Sequence, residues 1–190
     1  MGSQPYTQLA QLNLIHNENN IVVEIGSENG EGSSVWLYDW AHQRNIEFYS
    51  IDVEHRMRER NYLHINWVVA SSGSDWCRNI LPGLNKTIKV LYLDNFDWIW
   101  DPNNIAPYCQ TQIEQYATRG IIMNNQNCQE EHRLQLEYCL SYLDEQSVVI
   151  MDDTFYNNGS WDGKCATAIP LLSKHGFTIH GNNLATRGIK

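Results

Sequence analysis

Short apolar runs recur along the chain, separated by longer stretches of mixed polarity. The runs at 21–25, 46–51, 65–70, 88–93 and 147–151 are rich in Ile, Val and aromatic residues. They are too short for helices and predict buried strands. The intervening stretches predict helices at 32–44, 54–62, 105–118 and 128–145, the last with apolar positions at Leu134, Leu136, Cys139, Leu140 and Leu143. A short helix is expected after the Ser71-Ser72-Gly73-Ser74 turn, stopping near Pro82-Gly83. Another is expected at 161–175, closed by Gly176. Leu9, Leu12, Leu14 and Ile15 suit a short helix covering the sheet, within an otherwise polar 1–20. Residues 177–180 and 184–186 predict a hairpin across Gly181-Asn182-Asn183. Strands alternating with helices imply a largely parallel sheet with helices on both faces; five strands and a hairpin make seven.

Three of the strands end in acids: Asp52, Asp94, and Asp152 followed by Asp153. Ligands of open α/β sheets bind beyond the carboxyl ends of the strands, so these acids are expected to converge on one crevice. The first strand runs into a turn with Gly26, Gly30 and Gly32, spaced Gly-x-x-x-Gly-x-Gly and followed by a helix. Such a strand–turn–helix unit is the usual opening of a nucleotide- or nucleoside-binding domain. A diphosphate would sit where bare N–H groups meet the helix dipole. Here that place carries Glu24, Glu28 and Glu31, which repel phosphate and suit a sulfonium and an ammonium, the charges of S-adenosylmethionine. A NAD-dependent oxidoreductase is disfavoured on the same ground.

Composition narrows the picture further. With 190 residues one domain is expected, spanning 1–190. Charged residues are 18% and apolar ones 42%, as in ordinary globular proteins. The net charge of −9 argues against nucleic acid and anionic membrane as partners. The one basic cluster, His55–Arg60, contains Glu59 and reads as a solvated helix face. Five cysteines, with no CxxC pair, fit free thiols in a reducing compartment. No run has transmembrane length and the polar start is not a signal peptide, so a cytoplasmic location is expected.

The order of elements, ending in a hairpin, resembles the class I S-adenosylmethionine-dependent methyltransferases. The likeness is to the branch of TylF-like sugar methyltransferases, cephalosporin-hydroxylase-like proteins and catechol-type O-methyltransferases. VEIGSENGEGS at 23–33 looks like the first motif of that branch and YSIDVE at 49–54 the second. KVLYLDNFDW at 89–98 and VVIMDDT at 148–154 resemble the motifs of its fourth and fifth strands. The resemblance covers roughly 21–187 and implies a Rossmann-like fold. It implies that Asp52, with Val53 beside it, binds the ribose hydroxyls; Asp52 follows Gly30 by 22 residues, the separation expected of a ribose-binding acid. Gly26, Ser27, Gly30 and Ser33 would line the methionine portion, Ser71 and Ser72 would sit near the adenine, and Glu24, Glu28 and Asp94 would also bind the cofactor. It further implies Mg²⁺ or Mn²⁺ at Asp94, Asp152 and Asp153, hard oxygen donors suited to such ions. The implied reaction is O-methylation of a small-molecule hydroxyl of a sugar, polyketide or aromatic compound.

The sequence departs from the branch in several places. Glu28 stands at a common glycine position. After the fourth strand the chain reads Asp94-Asn95-Phe96-Asp97-Trp98, without the His of the usual motif, and Asp97 stands where catechol-type enzymes carry a lysine base. Asp97, Lys164 and His132 are therefore base candidates by location, with Asp94 beside them. Residues 95–146, with Trp98, Trp100, Tyr108, Tyr116 and Tyr138, are expected to shape the acceptor site, although core packing explains these aromatics equally well. A metal-independent methyltransferase and a catalytically inactive Rossmann-like binding domain are the alternatives. A homo-oligomer is compatible with this fold, but no feature of the sequence announces one.

Overall fold

The computed structural model describes residues 4–27, 30, 32–54 and 65–189. In chain order the elements are α1 (Gln4–Gln11), β1 (Asn20–Ile25), α2 (Ser33–His42), β2 (Glu47–Asp52), β3 (Ile65–Val69), α3 (Gly73–Asn79), α4 (Leu81–Leu84), β4 (Thr87–Leu93), α5 (Pro107–Ala117), α6 (Asn125–Cys139), β5 (Leu143–Met151), β6 (Thr154–Asn157), β7 (Ser160–Gly163), α7 (Ile169–Lys174), β8 (Thr178–His180) and β9 (Leu184–Thr186). A single 3₁₀ turn, Leu140–Tyr142, joins α6 to β5.

Seven strands form one sheet in the order β3-β2-β1-β4-β5-β9-β8. β1 to β5 are parallel, whereas β9 runs antiparallel to β5 and to β8. Successive residues of a strand face opposite sides, and both sides here are covered. Ile21, Val23 and Ile25 of β1 pack with Trp76 and Cys77 of α3, Leu136 and Cys139 of α6, and Leu172 of α7. Val22, between them, packs with Leu9 of α1 and Leu37 and Trp40 of α2. Two-sided burial explains why the central strands read as continuous apolar runs. Each fully buried Ile, Val or Leu adds roughly 1.5–3 kcal/mol, which holds the strand ends at fixed relative positions.

Several expectations need correction. The short helix expected to stop near Pro82-Gly83 is two: α3 ends at Asn79, and both residues lie inside α4, with the proline in its first turn and left-handed Asn85 at its end. The predicted helix at 128–145 starts earlier and ends at Cys139, because Leu143 already pairs with Ile88 as the start of β5. The β4–β5 register then shifts between Ile88 and Val90. The helix expected over 161–175 is mostly absent. Its first residues return as β7, antiparallel to β6 across Asn158-Gly159, and only Ile169–Lys174 is helical. Asn158 and Gly159 both have positive φ, the requirement of a tight two-residue hairpin. The helix predicted at 54–62 and the basic cluster at 55–60 lie outside the described residues, apart from Glu54 at the helix's start.

The covering helix ends at Gln11, so of the four expected apolar residues only Leu9 lies in it; Leu14 is buried beyond the helix and Ile15 is exposed. All five cysteines are free and buried. Among the described residues no helix is long and apolar enough to cross a membrane.

Candidate active site

A cleft of about 560 Å³ opens at the carboxyl ends of β1, β2, β4 and β5, within the size range of small-molecule sites. Its first wall is the turn after β1. Gly26 donates to the Ile51 carbonyl at 2.8 Å and has φ +94°. A side chain there would strike the Asp94 carbonyl, so glycine lets the turn close directly onto the end of β4. Ser27 N–H donates to Asp52 Oδ2 at 3.0 Å, and Glu54 N–H donates to Asp52 Oδ1 at 3.0 Å. Two backbone donors thus fix the Asp52 carboxylate at the cleft wall. Ser27 Oγ also lies 3.5 Å from Asp52 Oδ2.

Gly26, Ser27, Ser33, Asp52, Val53, Ser72, Asp94, Asp97, Asp152, Asp153 and Lys164 all line this cleft, bringing most of the sequence-derived candidates together. Glu24 does not reach it. Its carboxyl lies beneath the turn, accepting from Ser50 Oγ at 2.6 Å and Ser34 Oγ at 2.7 Å. Burial pushes it from an ordinary 4.5 up to about 7, partly opposed by the serine hydroxyls. Gly30 is a backbone element, donating to the Ser27 carbonyl at 2.6 Å. Ser71 lies off the cleft and bonds Asp75, while Ser72 caps α3 by accepting from Asp75 N–H at 3.0 Å. Glu28 and Glu31 lie outside the described residues. His132 belongs to the core: fully buried, its Nδ1 bonds the Cys128 carbonyl at 2.7 Å, and burial lowers its pKa to about 3.

The deepest part of the cleft is ionic. Lys164 Nζ donates to Asp94 Oδ1 at 2.6 Å and to Asp152 Oδ2 at 3.3 Å, and lies 3.5 Å from Asp153 Oδ2. Burial alone would lower the lysine's pKa, but Asp94, Asp152 and Asp153 outweigh it and hold the ammonium protonated. Asp94 Oδ2 accepts from the Tyr92 hydroxyl at 3.2 Å, which in turn is met by the Tyr6 hydroxyl of α1 at 3.4 Å. Burial pushes the Asp94 carboxyl above its ordinary range and outweighs the opposing Lys164 ion pair; Asp152 pushes the same way. Burial likewise raises Asp153. The backbone here is strained: Phe96 has φ +63° and Asp153 φ +41°, values that non-glycine residues rarely adopt and that cluster at functional sites.

These three carboxylates are also the donors expected for Mg²⁺ or Mn²⁺. They are already joined through one ammonium, whose charge repels a divalent cation drawn to the same oxygens. Among the described residues no group of three His, Cys, Asp or Glu side chains stands in a metal-ligating arrangement. The donor set does not fit a divalent cation beside Lys164.

The other wall joins the expected Asp97 and Tyr116 to Gln112 and Glu131, which no motif singles out. Asn95 accepts from Gln135 Nε2 at 2.6 Å, and Glu131 of α6 accepts from Ser74 N and Oγ, both at 2.8 Å. Gln112 of α5 donates to Asp97 at 2.6 Å. Tyr116 lines the cleft with its ring edge-on to Phe96. The other aromatics of this segment lie elsewhere: Trp98 is buried, Tyr138 packs on the core, and Trp100 stacks on Phe155 with 60% of its surface exposed.

Solved structures share this architecture. One, described as a pericyclic reaction enzyme, aligns with 96% of this chain at TM-score 0.54 and 11% identity. Another, LepI in complex with SAM, aligns with 96% at TM-score 0.52 and 12% identity. A methyltransferase of calicheamicin biosynthesis in its SAH-bound form aligns with 94% at TM-score 0.48 and 12% identity. The chain spans about half the length of these proteins, 46%, 46% and 50% respectively. The first two establish a common α/β fold. No protein-family model and no curated protein matches the sequence.

Proposed function

We propose that this chain binds S-adenosylmethionine in the cleft and transfers its methyl group to a small-molecule acceptor, most simply a hydroxyl. The observation that carries this reading is the Asp52 carboxylate, fixed by the N–H groups of Ser27 and Glu54 beside a turn that only glycine closes. A carboxylate so placed accepts from two neighbouring ribose hydroxyls. The turn carries no phosphate-compensating cation among its described residues, and the same-fold neighbour with SAM supports the choice of ligand.

When bound, S-adenosylmethionine supplies an electrophilic methyl on a sulfonium. The chain's own part is alignment, exclusion of water and disposal of one proton. As the acceptor oxygen bonds to the methyl carbon, the carbon–sulfur electron pair stays on sulfur, leaving a neutral thioether. The hydroxyl proton passes to a strand-end carboxylate at Asp94, Asp152 or Asp153. Attack on a sulfonium depends chiefly on proximity and orientation, so a histidine base is not required. Residues 95–146, through Gln112, Tyr116 and Glu131, supply the acceptor wall.

Metal assistance, the expected variant of this reaction, loses its support from Lys164. A metal-independent methyltransferase is the better reading, and no step here passes through a metal. The same ion-paired floor also weakens the alternative of an inert binding domain, since such a domain needs no buried ammonium at the ligand cleft.

Calorimetric titration with S-adenosylmethionine tests the proposal. The wild-type chain is expected to bind, and Asp52→Ala to weaken binding by at least about tenfold, or 1.4 kcal/mol, while remaining folded. Wild-type protein that binds no S-adenosylmethionine would remove the reading altogether.

A further inference from the structure

Three carboxylates at adjacent strand ends repel one another, and a bound divalent cation is the common remedy. In this chain the counter-charge is a side chain of the protein itself. The Lys164 side chain is 2% exposed and its amino group faces Asp94, Asp152 and Asp153. An ammonium has three N–H donors and no acceptor; two of its hydrogen bonds go to Asp94 and Asp152, and Asp153 stands by as an ion pair at 3.5 Å. The contacts of 2.6–3.5 Å are those of an ammonium, whose positive charge repels a divalent cation drawn to the same oxygens.

The backbone delivers this group. β6 leaves the end of β5, turns at Asn158-Gly159, and β7 returns so that Thr154 pairs with Gly163. Lys164 N–H then donates to the Asp153 carbonyl at 3.0 Å. Gly163 has φ +91°, and a side chain there would run into that same carbonyl. On its far side Gln129 Nε2 of α6 donates to the Gly163 carbonyl at 3.0 Å, and Cys165 N–H donates to Thr154 Oγ1 at 3.1 Å. The position of Nζ is therefore set by the hairpin.

We infer that Lys164 is a built-in substitute for a divalent cation: its ammonium holds the three strand-end carboxylates for the acceptor and makes the site indifferent to Mg²⁺ and Mn²⁺. Lys164 is a positioning residue in this account. Taking the ammonium away leaves three converging carboxylates with no counter-charge, so the same site becomes able to take the divalent ion it now excludes.

Mn²⁺ titration followed by loss of the free-ion EPR signal tests this without S-adenosylmethionine, so its failure is separable from failure of the methyltransferase reading. Wild-type protein is expected to bind no Mn²⁺ in the cleft and to keep its melting temperature when Mn²⁺ is added. Lys164→Met, close in shape and uncharged, is expected to bind one ion with a Kd at least about tenfold below any wild-type value, about 1.4 kcal/mol. Its melting temperature should rise with Mn²⁺, and adding Asp152→Asn should abolish both effects. Should Lys164→Met fold poorly, refolding in Mn²⁺ is expected to recover it. The inference is overturned by wild-type Mn²⁺ binding that Asp152→Asn removes. It is equally overturned if Lys164→Met binds no ion and is not recovered by refolding in Mn²⁺.

Discussion

At Glu24 a carboxyl is shut away from water under the first turn, with two serine hydroxyls as its partners. Burial holds its folded pKa near 7 against an ordinary 4.5. Below pH 4.5 the group is protonated in both folded and unfolded chains and adds no pH dependence. Between 4.5 and 7 the unfolded chain gives up the proton while the folded one keeps it, so folding becomes costlier as pH rises. The slope is about 1.4 kcal/mol per pH unit, roughly 3 kcal/mol over the window. Above 7 the full cost is present. Glu24→Gln is therefore expected to gain on wild type by that amount between pH 4.5 and neutral pH, as read by urea unfolding across the series. A wild-type–variant difference that stays flat with pH would contradict a buried, late-ionising Glu24. The residue was legible in the sequence as part of the acidic turn, but its depth was not. Ser50, which receives it, lies 26 residues away on the next strand.

The β6–β7 hairpin carries the greatest structural consequence among the elements. Gly163→Ala forces a side chain into the Asp153 carbonyl at φ +91°, and is expected to cost about 1–3 kcal/mol in urea unfolding. Gly83→Ala is the control: nothing lies within reach of its added methyl in α4, and alanine is the better helix former. It should be neutral or slightly stabilising, and an equal loss in both variants would dismiss the steric argument. The hairpin also shows where the sequence could and could not be read. Parallel core strands are uniform apolar runs, so β1, β2, β4 and the inner part of β5 were legible, as were the acids that end them. Asn158-Gly159 was in plain view, and it is the strongest short-range hairpin signal. The residues flanking it, Thr-Phe-Tyr-Asn and Ser-Trp-Asp-Gly, alternate too weakly to outweigh the helical look of 161–175. The contacts that complete the cleft, such as Ser74 with Glu131, span 57 residues and leave no local trace. Lys164 was noticed by its location, but that it would stand among the expected metal ligands required the hairpin.

At the scale of the molecule the charge of −9 is not spread evenly. Of the described residues lining the cleft, eight are Asp or Glu and one, Lys164, is a cation. Arg119 covers Glu54 and Arg133 covers Glu130, yet the cleft keeps a negative excess after these pairs are counted. A concave, partly desolvated surface of one sign concentrates ligands of the other. S-adenosylmethionine has a net charge of +1, and its demethylated product, a neutral thioether, has none. Binding of the first should therefore weaken by several-fold as salt rises from about 0.01 M, where the Debye length is about 30 Å, to about 1 M, where it is about 3 Å. Binding of the second should change much less. Parallel titrations of both compounds across that range would measure the difference directly. If the two slopes coincide, the acidic lining does not act on the sulfonium, and the excess charge serves the acceptor or the chain's solubility. If they diverge, the same field that draws in the cosubstrate also favours release of its neutral product.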